Sequence, residues 1–242
     1  MIRPLLRKIL PFSIKLHFRL LKVRLKDTWS GNRKKMALPL LEKTIGQFVI
    51  EIKQPLRLSA SNLEKKHNLL IAIEQIHLRT LTAGSLFSFW HCLGNPTAKK
   101  GYRKSRVIQD GKIIQETGGG LCQLSGMLYY LALLSGMQII ERHAHSLDIY
   151  TEAERFTPLG SDATVVYGYK DLRFCNNTPN PIQICFEIKD DYIIGRLHSQ
   201  CPFEKLLVRF EHEKKEKGIW VTTIVENKTL PTSITPNFYR TL

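Results

Sequence analysis

Residues 117–136 read TGGGLCQLSGMLYYLALLSG, three glycines and one cysteine opening a long apolar run. Gly118, Gly119 and Gly120 lack a Cβ, so the backbone there can take positive φ and approach a partner closely. Leu121, Leu124, Met127, Leu128, Leu131 and Leu134 recur at threes and fours, the spacing of a helix with a buried stripe. Gly136 stands where a left-handed glycine would stop it. This spacing puts Cys122 in the first helical turn, where unpaired N–H groups and the positive end of the helix dipole favour a thiolate. The plain alternative is a small buried cysteine under a glycine turn.

Outward from this stretch the chain alternates short strand-like and turn-like segments. On its N-terminal side, Asp110-Gly111 is a hairpin dipeptide between Ser105–Ile108 and Lys112–Gln115. Phe87–Trp90 alternates as a strand does, and residues 62–80 carry Leu63, Leu70, Ile73 and Ile76 behind the N-cap candidate Asn62, with His67 and His77 on its surface. On the C-terminal side, Met137–Glu141 reads as a strand running into Arg142-His143-Ala144-His145-Ser146. Residues two apart on a strand share a face, so His143 and His145 are expected to point the same way. Glu141 and Arg142 are read as a pair. Strands are expected at Asp162–Tyr169, Leu172–Phe174, Ile182–Ile188 and Tyr192–Leu197, then a further hairpin and a weakly ordered tail. The expected architecture is α+β: a mainly antiparallel sheet packed with a central Cys-bearing helix. A basic helical arm and linker (1–60) precede the main domain (61–200), and a hairpin and tail (201–242) follow it.

The chain has 242 residues and a formal charge of +15, and 43% of its residues are apolar, an ordinary share for a domain that buries a core. Residues 1–35 hold eleven Lys/Arg against Asp27 alone, so ten of the fifteen net positive charges sit there. Basic residues interleaved with Ile, Leu and Phe suit an anionic membrane surface; nucleic acid is the rival partner and a solvated helix face the plain reading. Arg3, Arg7, Lys8, Lys15 and Arg19 interrupt every early apolar run, and no stretch reaches membrane-spanning length. Five cysteines without paired spacing do not read as a disulfide framework or a zinc ribbon. A reducing, cytoplasmic setting is therefore expected, peripheral to the inner membrane face, with Cys92, Cys175, Cys185 and Cys201 structural.

Three chemistries compete at Cys122. A thiol enzyme would use Cys122 as nucleophile, His143 or His145 as base and Asp162 to orient it, with Cys122 N–H and the Gln123 amide at the oxyanion. A metal centre would use Cys122, His143 and His145 as N/S ligands. A binding module would cradle a carboxylate or phosphate on Gly118, Gly119, Gly120, Gln123 and Ser146. No cofactor is expected.

Taken in order, FSFW (87–90), GY (101–102), GGGLCQLS (118–125), ERHAHS (141–146), SDATVVYG (161–168) and DLRFCNNT (171–178) form a series that resembles the VanW family, over roughly residues 62–190. The resemblance implies a setting in the bacterial cell envelope or in glycopeptide resistance, and a cell-wall precursor or peptide as partner.

Overall fold

The computed structural model describes residues 10–37, 46–56, 63–109, 112–148, 157–226 and 232–241. Within these, five α-helices accompany mainly antiparallel sheets, an α+β arrangement. The Asp110-Gly111 turn and the Asn62 N-cap lie outside the described residues.

Helix α1 (Phe12–Trp29) and the short α2 (Asn32–Lys35) precede β1 (Phe48–Pro55). Helix α3 (Leu63–Ile76) leads into β2 (Arg79–Leu81) and β3 (Leu86–Ser88), and then into α4 (Phe89–Leu93). The Phe87–Trp90 stretch thus leaves its strand halfway, and the reason is local. Ser88 caps α4 by accepting the His91 N–H at 3.1 Å, while its own hydroxyl donates to Asp171 Oδ2 at 2.6 Å. The other Asp171 oxygen accepts the Trp90 N–H at 3.1 Å, so one partly buried carboxylate closes the helix start.

The hairpin β4 (Lys104–Gln109) and β5 (Lys112–Thr117) delivers the chain to the glycine turn and α5 (Leu121–Leu134). This helix is apolar almost all round and buried accordingly, from Leu121 through Leu134, against α3, β1, β6 (Gln138–Glu141), β10 (Tyr192–Ser199) and β11 (Leu207–Lys215). Gly136, with φ +68°, stops it, and the Met137 N–H returns to Ala132 O at 2.9 Å. One sheet runs β1-β10-β9-β2, where β9 is Ile182–Lys189; a second, β3-β8-β6, contains β8 (Arg173–Cys175).

The third sheet corrects the expectation for the C-terminus. Beyond the hairpin β11–β12 (Gly218–Glu226), residues Thr232–Thr241 form β13, paired antiparallel to β12 and parallel to β7 (Leu147–Asp148). A second correction concerns residues 162–169, which form no strand. They run as an irregular segment, with one isolated bridge from Val166 to Lys170, held between α5 and residues 142–145. Ser125 Oγ donates to Ala163 O at 2.6 Å on one side, and the Thr164 N–H donates to His143 O at 2.7 Å on the other.

The glycine turn is fixed from α3 by Asn68, which is fully buried. Its Nδ2 donates to Arg103 O at 2.9 Å and Gly119 O at 3.0 Å, and its Oδ1 accepts the Arg103 N–H at 2.8 Å. His67 Nε2 meets Gly101 O at 2.9 Å alongside it, and just past the end of α3 His77 Nδ1 accepts the Phe186 N–H at 3.1 Å, so both histidines serve the fold.

Asn68→Ala strands two carbonyls and one N–H in the interior, and is expected to cost about 2–4 kcal/mol, read as a lower urea midpoint at unchanged slope. Gly126 behaves oppositely. A Cβ there meets Ala163 N and the Asp162 Cα at 3.6 Å, an ordinary contact, so Gly126→Ala is expected to raise stability by about 0.5–1 kcal/mol in the same titration.

Candidate active site

Three peptide segments converge beside the first turn of α5. Residues 142–145 leave β6, whose last residue is Glu141, and so escape the strand alternation that the sequence suggests. The two histidines consequently have different partners. His145 Nδ1 lies 2.6 Å from Asp162 Oδ2, and the ring interacts with Cys122. His143 Nε2 lies 3.0 Å from Glu141 Oε1, which also accepts the Asp171 N–H at 3.1 Å. The structure therefore brings Cys122, His145 and Asp162 together and places His143 on a separate carboxylate.

Asp162 is the hub. Its Oδ2 accepts the His145 backbone N–H at 2.7 Å as well as the ring. Its Oδ1 accepts Arg142 Nη2 at 2.9 Å and the Tyr239 hydroxyl at 2.5 Å. Arg142 does not pair with its neighbour Glu141. Its Nε donates to Asp162 O at 2.8 Å, Nη2 donates to Gly160 O at 3.0 Å and Tyr239 Oη at 2.8 Å, and the guanidinium lies over the Tyr129 ring at 4.8 Å. Arg142 belonged to a visible motif, adjacent to the histidines. Tyr239, 97 residues further on, had no local signal.

The charges follow from these contacts. Burial works against the Asp162 carboxylate, but the His145 hydrogen bond and the Arg142 guanidinium outweigh it and hold the group well below the usual range. Burial also opposes a charged His145; the Asp162 and Cys122 hydrogen bonds reverse that and push its pKa up to about 10. For Cys122, burial raises the thiol, whereas the interaction with His145, followed by a Val165 backbone contribution, brings the net shift downward. The two shifts run in the direction of a thiolate–imidazolium pair. Cys92 is the contrast: buried without a cationic hydrogen-bond partner, it is pushed up to about 12. All five cysteines are free thiols.

The glycines build the turn that aims this helix. Gly118 and Gly120 have φ of +80° and +95°, and a Cβ on Gly119 would fall 2.5 Å from Ser105 O. The Gly118 N–H donates to Arg103 O at 3.0 Å and the Gly119 N–H to Glu116 O at 3.1 Å, so neither offers its N–H to an anion. The Gln123 side-chain amide turns to β1, donating to Pro55 O at 3.1 Å and Gln54 Oε1 at 3.3 Å, and its N–H bonds Gly120 O. That removes Gln123 from the oxyanion position, leaving the Cys122 N–H in the first helical turn. Ser146 is exposed, and its carbonyl receives the Arg240 N–H at 3.1 Å. With His143 on Glu141, the proposed Cys122, His143 and His145 ligand set does not converge. Among the described residues no group of three His, Cys, Asp or Glu side chains is placed to hold a metal ion.

The site falls inside the part of the chain that known proteins share. Over 140 residues, 58% of this chain and 43% of the relative, it is 33% identical to the protein called "Uncharacterized protein YoaR" of Bacillus subtilis. Over 133 residues, 55% of this chain and 48% of the relative, it is 30% identical to the Vancomycin B-type resistance protein VanW of Enterococcus faecalis. The matched stretch thus spans a little under half the length of these curated relatives, and no solved structure matches. Residues 64–198 match the family described as VanW like protein, taking in Cys122, Arg142, His145 and Asp162 together. On that match the chain belongs to the VanW family.

Proposed function

We propose that this protein is a thiol-dependent enzyme of acyl transfer or amide hydrolysis, acting on a peptide or amide of the cell envelope. The observation that supports this most directly is the convergence of Cys122 with the hydrogen-bonded pair His145 and Asp162, with the thiol shifted down and the imidazole shifted up. The envelope setting rests on the relative named for vancomycin resistance.

The chemistry follows from the three side chains. The Cys122 thiolate attacks the carbonyl carbon of the acyl donor, forming a C–S bond and a tetrahedral oxyanion. The Cys122 backbone N–H, at the positive end of α5, is the donor placed for that oxyanion. Collapse breaks the C–N bond as the leaving amine takes a proton from His145, which leaves a thioester and a neutral imidazole. Water or an acceptor amine then attacks the thioester while His145 removes its proton, and Cys122 departs as the thiolate. Asp162 stays ionised throughout, fixing the ring through Nδ1 and stabilising the imidazolium. Arg142 and Tyr239 are positioning residues, since they act through Asp162.

The test is the pH dependence of Cys122 alkylation by iodoacetamide, read at that residue by peptide mass spectrometry. Because the folded thiol is lowered, the wild-type rate is expected to persist well below the ordinary thiol value of about 8.5 and to fall as acid protonates the thiolate. His145→Ala is expected to move the midpoint upward and slow alkylation near neutral pH at least tenfold; His143→Ala is expected to leave it in place. Equal midpoints in wild type and His145→Ala would end the proposal.

Asp162→Asn separates the carboxylate from its shape. It removes the charge that holds the imidazolium and leaves the Arg142 guanidinium buried without a counter-ion. The thiol midpoint is expected to rise as in His145→Ala, together with a loss of about 3–5 kcal/mol in denaturant unfolding that His145→Ala does not share.

A further inference from the structure

Helix α1 is apolar on two opposite sides, and the protein body uses one. On the inner side Leu16 and Leu20 close over Gly168, Phe12 stacks on Tyr169 with ring centroids 6.2 Å apart, and Arg19 lies over the same ring at 4.6 Å. Asp27, the sole acid of the first 35 residues, is buried there in an ion pair with Arg173 Nη2 at 2.7 Å. That side fixes the helix to the domain.

The outer side carries Ile14, Phe18, Leu21, Leu25 and Trp29. At about 100° per residue these five fall within roughly 80° of arc. All are exposed, Phe18 by 61% and Trp29 by 91%. Lys15, Lys22 and Lys26 line one flank of the stripe, and His17 and Arg24 the other. Among the described residues no helix is long and apolar enough to cross a membrane.

We propose that this outer face of α1 docks in the plane of an anionic lipid surface, with the stripe in the headgroup and acyl boundary and the flanking cations on lipid phosphates. Charge complementarity selects the occupant. With Asp27 neutralised inside, the outer face presents cations only, which repels a second copy of this chain. A nucleic acid would satisfy the cations but leave Ile14, Leu21 and Leu25 unmatched, whereas a bilayer takes the stripe and both flanks together. The inference stands apart from Cys122 chemistry. Because the inner side holds α1 to the domain, the whole body is presented to the surface in one orientation.

The test uses the full chain, by co-sedimentation with phosphatidylcholine vesicles with and without about one-third phosphatidylglycerol. Binding to the anionic vesicles is expected, weakening as salt rises, with little binding to neutral vesicles. The triple variant Phe18→Glu, Leu21→Glu, Leu25→Glu is expected to lose at least tenfold in affinity while circular dichroism and Cys122 alkylation stay as in wild type. In Trp90→Phe, Trp220→Phe protein, Trp29 emission is expected to shift to the blue on anionic vesicles. The proposal is overturned if wild type fails to sediment with anionic vesicles, or if the triple variant binds as well as wild type. It is also overturned if the stripe variant instead abolishes self-association or RNA binding with vesicle binding unchanged.

Discussion

Asp162 holds its negative charge in a partly buried site because four donors converge on it: the His145 ring, the His145 backbone N–H, Arg142 and the Tyr239 hydroxyl. A buried carboxylate with fewer partners would take up a proton, and the histidine it orients would then lose its charge. The arrangement at Cys122 therefore depends on a contact that the sulfur does not itself make. The same carboxylate joins the segment after β6, the irregular strip 161–165 and the last strand, so local geometry and tertiary assembly share one electrostatic constraint.

The strip 161–165 shows how such a segment survives without being part of a sheet. Its backbone finds partners on both sides, Ala163 O accepting a serine hydroxyl from α5 and the Thr164 N–H donating to His143 O, so these groups are paired without a ladder. The strip packs beside Gly126 of the helix, and Val165 O lies 4.0 Å from the sulfur. Cys122 is thus enclosed by backbone as much as by side chains.

The sequence made the strongly periodic parts legible. The apolar spacing from Leu121 to Leu134, the left-handed stop at Gly136 and the alternating runs of β9 and β10 depend on local rules, and these elements lie where those rules put them. Cys122 could be named from its place after three glycines at a helix start, and His145 and Asp162 from the short polar clusters that hold them. What was not legible depended on pairing across the chain. The parity argument for His143 and His145 failed because the ladder ends at Glu141. The strand pattern at 162–169 was overridden by packing against α5. Strand β13, with its proline and short apolar content, was read as a tail, although pairing with β7 and β12 holds it in register. Glycines 118–120 suggested an anion cradle, but their freedom is used to turn the chain under Asn68.

Tyr239 adds a dimension of time. It sits 97 residues beyond Arg142, and the chain emerges from the ribosome at about 5–20 residues per second, so the thiol, the imidazole and the carboxylate are all made many seconds before the hydroxyl that completes their surroundings. Until β13 closes onto β12, Asp162 lacks one of its donors and Arg142 lacks one of its acceptors. The surroundings of the Asp162 carboxylate are therefore complete only when the last strand is in place.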